Sequence, residues 1–224
     1  TAMSILIRTV LLVLFCTTGV HAAQHQRPPD PDWTARTLVH DGLTRSYKLY
    51  VPEAVGAAPA VVLVLHGSGG DAVQAQRIYM GGFEPLADRH GFLLVYPEGF
   101  EKHWNDCRKA APYSANTADI DDVGFLRAMV GALVRRDGAD PARAFVTGFS
   151  NGGQMALKLA FEAPDDFAAI AAVGASHPTT DNFDCTDSGR PANLMILNGD
   201  ADPINPYQGG EVIPRPQTSF GTVI

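Results

Sequence analysis

Positive charge, cysteine and long apolar runs are all scarce in this sequence, and each scarcity excludes something. Seventeen Lys and Arg face 24 Asp and Glu, a net charge of −7, which gives no surface for nucleic acid or for a polybasic membrane contact. The only cysteines are Cys16, Cys107 and Cys185, so there is no paired-cysteine metal motif. A Gly-Lys-Ser/Thr phosphate loop and a His-Glu-x-x-His helix are absent as well. No metal and no cofactor is therefore expected. The longest apolar stretch near the start, Val10 to Phe15, is too short to span a bilayer, so no stable membrane anchor is expected. Repeats and low-complexity segments are missing too. What remains is a chain that is 46% hydrophobic, long enough for one well-buried domain and short for two.

The ends read differently from the middle. From Met3 the sequence has one basic residue, Arg8, then the apolar run, then small residues with Val20 and Ala22 at the −3 and −1 positions of a cleavage site. Residues 1–22 are therefore expected to be a signal peptide and the protein to be secreted, extracellular or periplasmic; the rival is a buried N-terminal helix. A lipid anchor on Cys16 is opposed by bulky Phe15 before it. Residues 23–40 are expected to be an irregular lead-in, because the prolines of "QHQRPPDPDWTA" exclude a regular helix. One domain then runs over 41–224. Export leaves Cys107 and Cys185, an even number in an oxidising compartment. A bridge between them would stabilise by about 4 kcal/mol in the chain-entropy model; two unpaired buried thiols are the alternative.

From residue 45 the apolar pattern alternates between two periods. "RSYKLYVP" reads as a half-exposed strand, and "AVVLVLHG" and "FLLVYPEG" as fully buried ones. Between the last two lies a helical region, 72–89, broken near Gly81-Gly82. A polar loop, 100–117, leads to the amphipathic "DDVGFLRAMVGALVRRDG". There Phe125, Leu126, Met129, Val130, Leu133 and Val134 share a face, and Arg135 and Arg136 complement the C-terminal dipole before Gly138. Asp121 and Asp122 open that helix and favour its positive end rather than forming a metal site. The strand "RAFVTG", a helix after Ser150, and the strands "AAIAAVGA" and "ANLMILNGD" follow. Buried strands separated by helices imply an α/β fold, a mostly parallel sheet with helices on both faces. Right-handed crossovers then bring the loops after Leu65, Tyr96, Gly148 and Leu197 to the carboxyl edge of the sheet.

One of those loops carries Gly148-Phe149-Ser150-Asn151-Gly152-Gly153. Gly-x-Ser-x-Gly alone is a weak signal, arising by accident in about one chain in ten of this length. Its context is stronger. A nucleophile at a sharp strand-to-helix turn takes a strained backbone, and side chains two positions either way would collide with neighbouring elements. Glycines at 148 and 152 remove those collisions and leave the serine at a helix N-terminus, where N–H groups favour developing negative charge. A serine that merely caps the helix is the bland alternative. A second glycine-rich turn, "LHGSGG", can aim the backbone N–H of Ser68 at the same point as that of Asn151. The same turn matches a dinucleotide fingerprint, Gly67-x-Gly69-x-x-Ala72, but the acidic residue that should end the next strand is missing.

Taken together, "LHGSGG", "WND", "DDVGFLRAMV", "GFSNGG" and "NGDADPINPYQGG" resemble the exported esterases of the polyhydroxybutyrate depolymerase and feruloyl esterase group, within the α/β-hydrolase superfamily. The resemblance covers most of the chain from about residue 40 onward. It implies a serine carboxylic-ester hydrolase with an acyl-enzyme intermediate, acting on polyhydroxyalkanoate-type polyesters or on feruloyl or acetyl esters of plant polysaccharide. It places the catalytic acid on Asp202, with Asp200 as runner-up, and the oxyanion donors on the N–H groups of Ser68 and Asn151. It also implies a Cys107–Cys185 bridge. His66, Trp104 and Tyr207 are candidate substrate-binding residues, and Tyr113 joins them as an aromatic that could stack on an acyl group or sugar; ordinary loop packing explains these aromatics as well. His66 is alternatively a residue that shapes the oxyanion turn.

Chain order in this superfamily is serine, acid, histidine, and no histidine follows Asp202. The seven are His21, His25, His40, His66, His90, His103 and His177. The expected reading is an incomplete α/β-hydrolase domain whose C-terminal helix, strand and histidine lie beyond residue 224, with "PQTSFGTVI" as the first turn of an amphipathic helix. The rivals are a complete chain using His177 as base, or a catalytically inactive α/β-hydrolase-fold binding protein.

Overall fold

The computed structural model describes residues 32–212 and 222–223; the expected signal peptide, with Cys16, lies outside them. The first elements are Thr34–His40 (β1) and Leu43–Tyr50 (β2), an antiparallel hairpin with His40 opposite Leu43. Asp41 and Gly42 between them both take positive φ, 49° and 74°. That is the type I′ turn whose twist matches paired strands. Strand β1 corrects the expectation of an irregular lead-in over its last part, 34–40; residues 23–31 lie outside the described residues. The prolines end at Pro31, and the Asp-Gly pair carried the opposite signal.

The rest alternates as the periodicity predicts. Val61–Leu65 (β3) is followed by Ala72–Ile78 (α1), Phe83–His90 (α2) and Leu93–Pro97 (β4). A short helix, Ser114–Thr117 (α3), interrupts the polar loop before Asp122–Asp137 (α4). Ala144–Phe149 (β5), Asn151–Glu162 (α5), Ala169–Val173 (β6) and Leu194–Leu197 (β7) complete the main body. The sheet order is β1-β2-β4-β3-β5-β6-β7. Within this sheet every described pairing from β4 to β7 is parallel, and the β1–β2 and β2–β4 pairings are antiparallel. The fold is thus α/β with a mostly parallel sheet. Gly210–Glu211 (β8) pairs with Thr222–Val223 (β9). The tail expected to begin a helix therefore contains a strand residue pair, and residues 213–221 lie outside the description.

Alternation along each strand sends side chains to two helical layers. Leu63, Leu65, Val95 and Val146 pack with Phe125, Leu126 and Met129 of α4 and Met155 and Leu159 of α5. Val64, Leu94 and Tyr96 point the other way, toward Ala72, Ala75 and Ala87 of α1 and α2. On this second face an apolar hollow of about 710 Å³ opens over β5, β6 and β7, lined by Phe83, Phe145, Ala171 and Met195 among others. Met195 of edge strand β7 is 56% exposed.

Helix α4, which spans the first layer, is capped at both ends as its sequence predicts. Asp121 accepts the Gly124 N–H at 2.8 Å and pairs with His40 at 2.8 Å. Gly138 ends the helix in left-handed backbone at φ 69°. Burial pushes the Asp121 carboxyl up, but the Gly124 N–H and His40 outweigh it and hold it below the usual value. An acid with a depressed folded pKa contributes stability in full above its unfolded value, about 3.9, and loses it as pH falls through the folded value. Asp121→Ala is accordingly expected to cost about 1 kcal/mol in urea unfolding at pH 7. The gap from wild type should close as the pH is lowered below 4.

Candidate active site

Strand β5 passes into helix α5 through Ser150, whose backbone sits at φ 57° and ψ −119°. For a residue with a Cβ this region is sparsely populated and costs about 1–3 kcal/mol. The surroundings leave it no alternative. A Cβ on Gly148 would stand 2.2 Å from the Gly152 carbonyl oxygen, and one on Gly152 2.5 Å from that of His66. Neither is a tolerable contact. On the far side the Ser150 N–H donates to the Val173 carbonyl at 2.8 Å, tying the turn to the end of β6. The Ser150 side chain makes no helix-capping hydrogen bond, so the hydroxyl is not there to close the helix.

Ser150 opens onto a cleft of about 700 Å³. Ser68 and Asp202 line the same cleft, as do His103, Arg108 and Tyr113. Three of the sequence-predicted residues are therefore brought together from the loops after β3, β5 and β7. The Asp202 carboxylate accepts the N–H groups of Ile204 at 2.8 Å and Asn205 at 2.9 Å, which fixes the loop that presents it. Asp200, two residues closer to the strand, is exposed and does not line the cleft. Asn151 is the first residue of α5, and its N–H is one of the four that a helix cannot satisfy internally. Ser68 sits in the turn closed by the Gly70 N–H to Gly67 carbonyl bond, with Gly69 at φ 71°. The Gly69 N–H is held by the Lys102 carbonyl at 2.9 Å.

Of the four candidate substrate contacts, Tyr113 lines the cleft and the other three do not. His66 is fully buried and outside the cleft lining. Its Nε2 accepts the Gly99 N–H at 2.9 Å, so the proton is on Nδ1, which donates to the Gly67 carbonyl at 2.7 Å. Burial lowers its pKa, more than the Gly67 bond raises it. It is a neutral strut beneath the glycine turn, the turn-shaping alternative rather than a substrate contact. Trp104 is also fully buried, its indole N–H donating to the His66 carbonyl at 3.0 Å. Tyr207 is 57% exposed and lies outside the lining. His177 packs flat against Phe183, ring centroids 5.3 Å apart, and edge-on to Phe161, and it is not among the residues that line the cleft. It is a packed ring rather than a base beside Ser150.

Other residues were missed. His103 lines the cleft, stacked on Tyr113 with ring centroids 4.4 Å apart. Gln154, one turn after Ser150, and Asn205 line it too; both are buried, and their carboxamide oxygens have no hydrogen-bond partner among the described residues. Asp106 and Arg108 form a buried ion pair at 2.5 Å. Burial works against the Arg108 charge, and Asp106 outweighs it, so the guanidinium pKa is raised. Between these two residues Cys107 is bonded to Cys185, which decides between the bridge and the free thiols.

The chain matches the family profile described as "Esterase PHB depolymerase" over residues 45–209. It is 35% identical over 195 residues to NocK of Nocardia uniformis subsp. tsuyamanensis, a protein provisionally named an esterase, covering 86% of this chain and 55% of that one. It is 31% identical over 156 residues to feruloyl esterase B of Talaromyces stipitatus, covering 69% of this chain and 38% of that one. The chain thus spans about half or less of the length of these relatives. Among solved structures it superposes on LpqC, a poly(3-hydroxybutyrate) depolymerase from Bordetella parapertussis, with a TM-score of 0.57 at 19% identity, covering 80% of this chain and 69% of that one. At that identity the likeness is one of fold.

The crowding at the turn makes a direct prediction. Gly152→Ala forces a methyl into two backbone carbonyls and should destabilise by about 1–3 kcal/mol or more. Gly56→Ala, where an added Cβ meets nothing within 4 Å, should be neutral or slightly stabilising. Paired thermal melts check the contrast.

Proposed function

The chain belongs to the PHB depolymerase family of esterases, and within that family we propose that it works as a secreted serine carboxylic-ester hydrolase. The observation that carries this reading is the strained Ser150, free of any capping bond, opening onto a cleft it shares with Ser68 and Asp202. A base takes the Ser150 proton as Oγ attacks the ester carbonyl; the N–H groups of Ser68 and Asn151 hold the oxyanion; the alcohol leaves with the base's proton. Water, deprotonated by the same base, then releases the acid and restores the serine. Asp202 orients the base. The base itself is a histidine supplied from outside residues 32–212, following serine and acid in chain order. Its substrates are polyhydroxyalkanoate-type polyesters or feruloyl or acetyl esters of plant polysaccharide, as the names of the relatives suggest. Removal of residues 1–22 on export fits the Cys107–Cys185 bridge, which persists in an oxidising compartment.

Hydrolysis of p-nitrophenyl esters by the full-length protein tests the assignment. Ser150→Ala should abolish turnover, and retained turnover refutes the nucleophile. Asp202→Asn should lower kcat by about 10⁴, whereas Asp200→Asn should stay near wild type. Residues 1–224 alone should be slower by about 10⁶, the loss that follows removal of a triad histidine. Near-normal rates from them would transfer the role of base to His103. Ester binding by the full-length protein without turnover would favour the binding-protein reading.

A further inference from the structure

The residue after the nucleophile does more than offer an amide. The Asn151 side chain is buried and spends both ends on one short segment. Its Oδ1 accepts the Trp104 N–H at 2.9 Å, while Nδ2 donates to the Trp104 carbonyl at 3.1 Å and to Asp106 Oδ2 at 2.7 Å. Asp106 is held in turn by Arg108, whose backbone N–H and Nε both reach Oδ1 at 3.0 Å. The Asn116 carboxamide closes on the Asp106 carbonyl at 3.0 Å.

The segment 104–106 also reaches the other glycine turn. The Trp104 indole N–H holds the His66 carbonyl, one residue before the Gly67–Gly70 turn that carries Ser68. One strip thus touches both loops that carry the proposed oxyanion amides. The peptide between Ser150 and Asn151 is the one whose orientation the unusual ψ of −119° sets, and a strained torsion persists only where its surroundings over-determine it. A buried ion pair is weak evidence of stabilisation, since desolvating both charges offsets their attraction. Asp106 and Arg108 are therefore better explained by the geometry they impose.

We infer that Asp106 and the Asn151 carboxamide are positioning residues for ester hydrolysis: they fix the Ser150–Asn151 peptide and, through Trp104, the Gly67–Gly70 turn, and so set the spacing of the two oxyanion amides. This rests on the proposed roles of Ser150, Ser68 and Asn151. Neither residue lines the cleft.

The test uses the full-length protein, p-nitrophenyl butyrate, and a trifluoromethyl ketone that adds to the serine hydroxyl as a tetrahedral mimic. Asn151→Ala keeps the backbone amide and removes the clamp. It should lower kcat by between about tenfold and a hundredfold, the scale of a small misplacement, with KM nearly unchanged. Affinity for the ketone should fall in step with kcat/KM. Asp106→Ala should do the same, and the double variant should lose no more than the worse single one, because the two act as one unit. Asp106→Asn, which keeps an oxygen for the Asn151 amide, should recover part of the rate. Should Asp106→Ala fail to accumulate, Asp106→Ala with Arg108→Met removes both buried charges and replaces it. Wild-type kcat and ketone affinity in folded Asn151→Ala overturn the inference, as do losses that add in the double variant. Either result beside an inactive Ser150→Ala leaves the serine mechanism standing; an active Ser150→Ala sinks that mechanism instead.

Discussion

The geometry of the cleft depends on how closely strand β5 and helix α5 approach the ends of β3 and β6 at Ser150. The backbone of Gly152 lies against the carbonyl oxygens of Leu65 and His66, and Gly153 against that of Val173. Packing of this kind leaves the chain one path, and the path runs through a positive φ at a serine. The strain is sustained by the parallel pairing of β3, β5 and β6, whose apolar side chains on one face of the sheet pack against α4 and α5. Sheet stability and the exposure of one hydroxyl are thereby the same structural fact.

Behind the cleft wall lies a second set of polar groups around that turn. His66 and Trp104, both aromatic and both fully buried, support the glycine turn from below. Asp122, also fully buried, takes the Asn105 N–H at 2.8 Å and Arg45 at 2.6 Å, anchoring the strip 104–106 to the start of α4. The cleft wall itself includes Ser68, His103, Arg108, Tyr113, Gln154 and the Asp202 loop.

Much of this was legible in the sequence where the cause is local. Periodicity gives the order of strands and helices, because each element must bury one face or both. The capped ends of α4 follow from Asp121 and Gly138, and the crowding at Ser150 from its flanking glycines. Reading fails where the cause is distant. Trp104 in a polar loop looks like a platform for a ligand; that its indole is buried under the His66 carbonyl depends on a residue 38 positions away. Asp106 stands in the "WND" motif, but only the tertiary contact with Asn151 shows what its carboxylate holds. Strand β1 was missed for a different reason. Its hairpin turn, Asp41-Gly42, was in plain view, and the prolines before it drew the weight.

Covalent closure sits one residue from the Asp106 carboxylate, since Cys107 is joined to Cys185 across a separation of 78 residues. The Asp184 N–H and the Lys109 N–H add backbone bonds on either side of that link, so the segment carrying Asp106 is pinned from behind. A production host whose cytosol keeps thiols reduced delivers polypeptide without that link. Such a preparation can look homogeneous on a gel and still hold a population with a loosened strip behind Ser150.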